Sequence, residues 1–469
     1  MNLKLKKVYS VSKKGKPEKP RLFLQHLICE AAGFEPKGEI FIHTSEEKEE
    51  IIIQNYPFEN EENIHTMHVS SRKSKLSQQE RPLIDTAGAK YAFLDINQKV
   101  EMNVYRKGNK GRVVIKPLEY KLFDNSTIPT PKDQRIRFLS VCAGAGVGTS
   151  ILQSTNYFSP IQEIELEDDS TEVLLHNFPN TMVFNGDLRD CMDVAEVDMA
   201  FVTLPCNEHS SLGFGDAGVM NDLALATSKI IQSSKAEVLF FENVPSFFRS
   251  AAWATLKCLL QEDYPFWAQK DIESWDFGNI SMRKRTYSVA FKNEERFIHF
   301  QFPTAPKGRR KKLKDYLDRS GVVHEWKSVE KWMESFNSRG SSWKDRSLDL
   351  TFVDKAVERI ACLPKRYTAQ SASNSHVLSD DRKSFRFLSI DEIKRILDIP
   401  ESFSFTDNIQ KIRKYEMLGQ SVCGRVIKAI ANRIAYTFMK VKTVATEKVK
   451  SIQTSYSINN GGQLELLLT

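Results

Sequence analysis

Two hydrophobic patterns divide the chain near residue 120. Before it, short β-type runs such as RLFLQ, EIFIHT and GRVVIKP alternate with turn residues. From Ile136 onward, apolar runs (IRFLSV, IQEIEL, MAFVTL, AEVLFF) are separated by helical stretches such as 170–177 and 222–233. Strands interleaved with helices predict an α/β fold with a doubly wound, Rossmann-like sheet, whose ligand binds at the carboxyl ends of the strands.

The first pattern contains two similar halves. Residues 20–54 and 81–117 each run strand, turn, strand, strand, which indicates a duplicated unit of about 35 residues. Through KPRLFLQ and EAAGFEPKGEIFI, the unit resembles the swapped-hairpin fold of AbrB-like and SymE-like bacterial proteins. Many of those proteins bind DNA. Two interpretations stay open, a second DNA or partner contact and a small β-domain that packs on its neighbour.

The patterns predict six segments along the chain. Residues 1–20 contain seven lysines and one acid and are expected to form a disordered basic tail. The other five are a β-rich duplicated domain over 21–120, a catalytic domain over 134–295, a segment without periodic pattern over 296–385, C-terminal helices over 386–444 that complete the catalytic domain, and a flexible tail over 445–469.

Composition narrows the class of protein. The 469 residues are 41% hydrophobic and 27% charged, which is ordinary for a globular chain of two to three domains. No apolar run approaches the ~18 residues of a membrane span, and the start lacks an apolar signal core, so a cytoplasmic protein without membrane contact is expected. Seven cysteines without a Cys-x-x-Cys pair suggest neither a disulfide framework nor a metal site. The net charge of +7 is compatible with a polyanionic partner.

Polar residues follow the first three predicted strands. The turn Cys142-Ala143-Gly144-Ala145-Gly146-Val147-Gly148 lets the backbone approach a ligand, although glycine turns also serve packing alone. Glu165 ends the next strand, where a carboxylate accepts ribose hydroxyls, and Asp187 follows the third, where it could accept from an adenine amino group. Taken singly, each acid could instead be a helix cap. Their order after the turn favours an adenosyl ligand.

A thiol and a carboxyl follow the next two strands. VDMAFVTL leads to Pro205-Cys206, and AEVLFF leads to Glu242-Asn243-Val244. A lone cysteine is usually a small buried hydrophobe. On the ligand-binding edge of a sheet, however, Cys206 and Glu242 could serve as nucleophile and proton donor.

Taken together, these residues resemble the DNA cytosine-5 methyltransferases from Phe138 to about Ile434, a span that also includes SMRKR at 281–285 and LGQSV at 418–422. The resemblance implies four catalytic residues, Cys206, Glu242, Arg283 and Arg285. It implies a cofactor site formed by Cys142, Ala143, Gly144, Gly146, Gly148, Glu165, Asp187, Leu188, Pro205, Gln420, Ser421 and Val422. The sequence departs from the family at Cys142, Asn207, Ser281 and Gln420, which puts cofactor affinity in doubt more than the reaction class.

The resemblance to the DNA cytosine-5 methyltransferases also implies a cofactor, a substrate and a biological role. The cofactor is S-adenosyl-L-methionine, released as S-adenosylhomocysteine, and no metal is needed. The substrate is cytosine in double-stranded DNA, flipped out of the helix so that Cys206 can add to its C6 atom. We expect a cytoplasmic, nucleoid-associated enzyme that marks DNA in restriction-modification or phage defence. Any restriction activity would belong to a partner protein.

Sequence recognition is expected in residues 296–385, where the family places its target recognition domain. This segment contains a basic run from Arg309 to Lys314 and three tryptophans, Trp326, Trp332 and Trp343, interpreted as a small core rather than base wedges. Two other functions stay open. One is transfer RNA cytosine-5 methylation, for which the stretch 362–367 has partial similarity to a family element. The other is a DNA-binding regulator without turnover.

Overall fold

The computed structural model describes residues 1–59, 63–120, 127–128, 135–205, 217–308, 310–319, 321–338, 347–369, 371–453, 456–458 and 464–466. The N-terminal region is mostly β. Its elements are β1 (Asn2–Ser10), β2 (Ser12–Lys14), β3 (Lys19–Leu24), α1 (His26–Ala32), β4 (Glu39–Ser45), β5 (Glu50–Gln54), β6 (Ile64–His68), β7 (Ser70–Lys73), β8 (Glu80–Ala87), β9 (Lys99–Lys107), β10 (Lys110–Pro117) and β11 (Thr127–Ile128).

The prediction of a disordered tail over residues 1–20 is wrong. This segment contains β1, β2 and the start of β3, and Leu5 in β1 is fully buried. Some of its lysines pair with acids far away in sequence: Lys6 pairs with Glu101 and Asp193, and Lys7 pairs with Asp168. Charge density predicts disorder only where such partners are absent, and here they lie about 100 to 190 residues away along the chain.

The two similar halves form matching sets of elements. The first contributes β3, α1, β4 and β5, and the second contributes β8, a short 3-10 helix, β9 and β10. Equivalent strands pair across the duplication, since β3 is antiparallel to β8 and β5 is antiparallel to β10. The internal repeat is therefore present in the structure. The likeness to AbrB-like and SymE-like proteins stays a prediction.

The following region alternates strands and helices as predicted. Its elements are β12 (Ile136–Val141), α2 (Val147–Gln153), β13 (Phe158–Glu165), α3 (Asp168–Asn177), β14 (Met182–Asn185), β15 (Val194–Ala195), β16 (Met199–Val202), α4 (Ala217–Ser234), β17 (Val238–Asn243), α5 (Ala251–Leu260), β18 (Phe266–Glu273), β19 (Lys284–Phe291) and α6 (Glu294–Phe297).

These strands form a doubly wound sheet, as expected. Strands β14, β13, β12, β16 and β17 are parallel neighbours in that order, and β19 and β18 extend the sheet antiparallel. Successive residues face opposite layers: Phe138 packs in the core shared with the C-terminal helices, and Leu139 in the core beneath α4 and α5. Beyond β14 the sheet continues through β1 into the N-terminal strands, giving thirteen strands in one sheet.

The rest of the chain forms a small unit followed by helices. Its elements are β20 (Lys327–Ser328), α7 (Val329–Asn337), β21 (Phe352–Val353), β22 (His376–Leu378), β23 (Ser384–Arg386), α8 (Ile390–Leu397), α9 (Lys411–Gln420), α10 (Gly424–Gln453), β24 (Tyr456–Ile458) and β25 (Leu464–Leu466). Strands β20 to β23 form a separate four-stranded sheet.

The C-terminal helices return to the catalytic sheet, as predicted. Ile427 and Ile430 of α10 are buried in the same core as Phe138 and Phe240. Helix α10 continues to Gln453, past residue 445, where the sequence predicts the start of a flexible tail. Within the described ranges, no helix combines the length and the apolar character that crossing a membrane requires.

Candidate active site

The glycine turn joins β12 to α2 in a left-handed conformation. Cys142, Gly144 and Gly146 have φ values of 57°, 57° and 79°. At Gly146 a Cβ atom would lie 2.5 Å from the ring of Phe178, and at Gly148 it would lie 2.5 Å from the ring of Phe201. At Gly144 a Cβ atom would meet nothing within 4 Å. Packing therefore requires the two later glycines, whereas Gly144 leaves open space beside the turn.

Glu165 fastens this turn to the end of β13. Its Oε2 accepts a hydrogen bond from the backbone N–H of Gly144 at 2.7 Å, and its Oε1 accepts from the N–H of Glu167 at 2.9 Å. Burial raises the pKa of the carboxyl, and the backbone donors oppose that shift. The N–H of Ala143 donates to the Ile164 carbonyl at 3.0 Å, so the turn is held at two points.

Asp187 lies two residues after β14 and begins a 3-10 helix over Leu188–Asp190. Its carboxylate accepts from the backbone N–H of Arg189 at 2.9 Å and from the Arg189 guanidinium at 2.6 and 2.9 Å. These hydrogen bonds hold the pKa of Asp187 below its usual value. Leu188 is buried and gives this loop an apolar wall.

The loop after β16 leads toward the predicted nucleophile. Pro205 is exposed, and the preceding carbonyl of Leu204 accepts a hydrogen bond from Asn243 Nδ2 at 3.0 Å. Cys206 and Asn207 lie outside the described residues. Leu204 and Pro205, the described residues just before Cys206, therefore lie against the end of β17, where Asn243 is next to Glu242 in sequence.

Glu242 is a buried carboxyl at the end of β17, with 8% of its surface exposed. Arg285 Nε lies 3.3 Å from Glu242 Oε1, and no described group hydrogen-bonds this oxygen. Burial raises the pKa of Glu242, while the positive charges of Arg285 and Arg283 oppose the shift. A raised pKa makes this carboxyl a better candidate for a proton donor than an exposed glutamate.

Arg283 is buried and contacts backbone carbonyls. Its Nη1 donates to the carbonyls of Leu363 and Gly419 at 3.3 and 3.2 Å and contacts the sulfur of Cys362 at 3.6 Å. Of the two predicted arginines, Arg285 in β19 therefore contacts the candidate proton donor. Arg283, which immediately precedes β19, contacts Leu363 and the α9 residue Gly419 instead.

The last predicted cofactor residues lie where α9 ends. Gln420 is its exposed final residue, Ser421 donates to the Leu418 carbonyl at 2.7 Å, and Val422 is buried in the core. The preceding Gly419 is needed for close approach, since a Cβ atom there would lie 2.2 Å from the Pro364 carbonyl oxygen.

The predicted recognition segment has a small aromatic core. Trp332 is buried and stacks on Phe336 at a centroid distance of 5.1 Å, whereas Trp326 is 44% exposed. Arg309 and Trp343 lie outside the described residues. Arg310 lies 3.4 Å from the centroid of the Trp275 ring and donates to its carbonyl, so this part of the basic run packs on the catalytic region.

Sequence reasoning missed one buried amide beside the site. Asn185, the last residue of β14, donates from Nδ2 to the Leu166 carbonyl at 3.1 Å and to Thr171 Oγ1 at 2.9 Å. An asparagine that ends an apolar strand immediately before a glycine and an acid, as in FNGD, is the local signal that could have indicated it.

Known proteins resemble this chain over the region from β12 to α10. The family model for C-5 cytosine-specific DNA methylase matches residues 136–436. The chain is 24% identical over 312 residues to the type II methyltransferase M.Bsp6I of Bacillus sp. strain RFL6, covering 64% of this chain and 98% of that protein. It is 25% identical over 267 residues to M.MspI of Moraxella sp., covering 55% and 60%.

Two solved structures share the fold. A DNMT2 mutant of Spodoptera frugiperda superposes with a TM-score of 0.52 at 17% identity, covering 64% of this chain and 99% of that one. The Entamoeba histolytica methyltransferase EhMeth gives 0.51 at 19% identity, covering 66% and 99%. Since the family model spans well over half of the sequence, the chain belongs to the C-5 cytosine-specific DNA methylase family.

Proposed function

We propose that the protein transfers a methyl group from S-adenosylmethionine to C5 of cytosine in double-stranded DNA. The observation that carries this proposal is the buried Glu242 carboxyl beside Arg285, on the strand adjacent to the one that leads to Cys206. The strands that carry the glycine turn and Glu165 end at the same edge of the sheet.

The residues at this edge fit an adenosyl group. Each carboxylate oxygen of Glu165 accepts one backbone hydrogen bond and keeps a second lone pair, which would accept from a ribose hydroxyl. Asp187 would accept from the adenine amino group, and the open space at Gly144 would admit the ligand next to the backbone. When bound, S-adenosylmethionine would supply an electrophilic methyl group.

The chemistry at the base would be carried by Cys206 and Glu242. The Cys206 thiolate would form a bond to C6 while protonated Glu242 gives its proton to N3, which makes C5 nucleophilic enough to take the methyl group. S-adenosylhomocysteine would be released as C5 takes the methyl group. Loss of the C5 proton to water would then expel the Cys206 thiolate, re-form the C5–C6 double bond and return the N3 proton to Glu242. Because C6 is inaccessible in a stacked duplex, the base must be flipped out of the helix.

Arginine side chains would complete the base pocket. Arg285 contacts Glu242 and would hold the carboxyl in place while contributing positive charge near the nucleophile. Arg283 would stabilise the pocket indirectly, through its hydrogen bonds to the backbone carbonyls of Leu363 and Gly419. The segment over 296–385 would read the DNA sequence.

The biological setting is part of the proposal. The type II methyltransferase names of the similar proteins support a modification role, in which this protein marks cytoplasmic, nucleoid-associated DNA while a separate protein carries any restriction activity.

The test is methyl transfer by a Cys206→Ala variant, with Cys258→Ala as the matched control. Cys258 is an exposed free cysteine on α5, so its removal should leave transfer unchanged. Labelled cofactor is offered with duplex DNA and, separately, with total RNA. We expect label in DNA for the wild type and Cys258→Ala, and none for Cys206→Ala, which should still bind DNA.

Three results would contradict the proposal. Label transferred by Cys206→Ala would reject the covalent mechanism. Label in RNA alone would favour transfer RNA as the substrate. DNA retention by the wild type without any transfer would favour a regulator that keeps the scaffold and not the turnover.

A further inference from the structure

The first strand of the N-terminal region lies directly beside the proposed cofactor site. Strand β1 runs parallel to β14, with Lys7 opposite Asn185. The next position, Gly186, packs against Val8, since a Cβ atom on Gly186 would lie 3.3 Å from the Val8 Cβ. The N-terminal region therefore contacts the strand end that precedes Asp187.

Lys7 hydrogen-bonds two residues that flank the ribose-binding position. Its Nζ donates to Asp168 Oδ1 at 2.6 Å and to Asn185 Oδ1 at 2.5 Å, and its side chain is 14% exposed. Asp168 is the first residue of α3, three residues after Glu165. One ammonium group thus joins the start of α3 to the end of β14.

Asn185 connects Lys7 to the backbone at Glu165 through the two ends of its side-chain amide. With its oxygen occupied by Lys7, its Nδ2 is directed at the carbonyls of Glu165 and Leu166, at 3.4 and 3.1 Å, and at Thr171. The orientation of the amide is set by Lys7, because a cation can pair only with the oxygen end. The position of the Glu165 main chain therefore depends on a residue of the N-terminal region.

A second lysine of the N-terminal region contacts the loop that carries Asp187, the proposed adenine-binding residue. Lys99, the first residue of β9, donates to both oxygens of the buried Asp190 at 2.9 and 2.7 Å. Asp190 ends the 3-10 helix that begins immediately after Asp187. Both acid-bearing loops are thus braced from the same neighbouring region.

We propose that Lys7 is a positioning residue for the cofactor and that the N-terminal region sets cofactor affinity by this contact. The inference rests on the proposed function, because it assigns Glu165 to S-adenosylmethionine. Lys7 acts through Asn185 and the backbone of Glu165, so it affects binding of the cofactor and not the reacting atoms.

The experiment measures S-adenosylmethionine binding by calorimetry to the full-length protein without DNA. For Lys7→Met we expect about tenfold weaker binding, which corresponds to about 1.4 kcal/mol. The matched control is Lys4→Met, since Lys4 lies on the same strand and donates to the Pro179 carbonyl at 2.8 Å, away from both acid-bearing loops. Lys4→Met should bind like the wild type, and Lys7→Arg should restore most of the affinity.

Steady-state kinetics separate positioning from general damage. We expect the KM for S-adenosylmethionine to rise in Lys7→Met while the KM for DNA and the kcat at saturating cofactor stay unchanged. If Lys7→Met does not fold, Lys7→Gln, which keeps a polar side chain, should show weaker binding in the same direction.

Equal cofactor binding by the wild type and the Lys7 variants would overturn the inference, and so would an equal loss in Lys4→Met. If the wild type itself bound no S-adenosylmethionine, the proposed function would fail first, and the inference with it. The two failures are therefore distinguishable in one set of titrations.

Discussion

Deleting residues 2–118 would test whether the catalytic region can fold without the strands that extend its sheet. Three apolar residues of the catalytic region pack in the core of the N-terminal region and are at most 4% exposed: Leu174, Phe178 and Val183. Deletion would uncover them together with the edge of β14.

The size of the effect follows from this burial. Uncovering one such side chain costs about 1.5–3 kcal/mol, so the three together account for about 5–9 kcal/mol. This is an upper estimate, because the unfolded chain already buries part of its surface. It is still comparable with the whole stability of a typical domain, about 5–15 kcal/mol. We therefore expect residues 119–469 to be insoluble or to lack a cooperative unfolding transition.

The assay compares the truncated and full-length chains by soluble yield, thermal unfolding and binding of a hydrophobic dye. Co-expression of residues 1–118 as a separate chain should restore solubility, because strand pairing and core contacts do not require a covalent link. A truncated chain that unfolds cooperatively within a few degrees of the full-length midpoint would refute the reasoning.

Three further outcomes follow from single side chains. The proposed mechanism needs a protonated Glu242, so turnover should fall as pH rises through the raised pKa of this carboxyl. Arg285→Gln removes a charge that lowers this pKa and should move the alkaline limb of the kcat–pH profile to higher pH; a limb that stayed in place or moved to lower pH would contradict this. Gly419→Ala places a methyl group 2.2 Å from a backbone carbonyl oxygen and should destabilise the fold by about 1–3 kcal/mol in urea unfolding, whereas Gly308→Ala, with nothing within 4 Å, should be neutral. Burial lowers the pKa of His376 from 6.5 to about 4, so the neutral imidazole contributes its full share of stability above pH 6.5, and on the order of 3 kcal/mol of unfolding free energy is lost as pH falls toward 4. His376→Phe should reduce this loss, and an unfolding free energy with the same acid sensitivity in the variant would count against the prediction.

The sequence predicted the catalytic sheet well because its information is local. Apolar runs such as VLFF mark buried strands, and a polar residue that ends a parallel strand of this kind lies at the ligand-binding edge. Glu165 and Glu242 were found in this way, and the structure places both at strand ends.

What the sequence could not show depends on distant contacts. Lys6 and Lys7 look like part of a solvated tail until their acidic partners at 101, 168 and 193 are known. The two arginines of SMRKR look equivalent, yet burial places Arg283 against carbonyls of 363 and 419 while Arg285 contacts Glu242. Periodicity and spacing carry no signal for such pairings.

The two halves of the proposed site are supported by different parts of the chain. The cofactor side, at Glu165 and Asp187, is braced by strands of the N-terminal region that precede it in sequence. The base side is contacted by residues that follow it in sequence, since Arg285 contacts Glu242 and the nearby Arg283 contacts the Gly419 carbonyl of α9. Arg413 of α9 forms ion pairs with Glu167 and Asp169, so the two supports also meet at the start of α3. Within the proposed function, a change at Lys7 would therefore act first on methyl-donor binding, whereas a change at Arg285 would act first on the base chemistry.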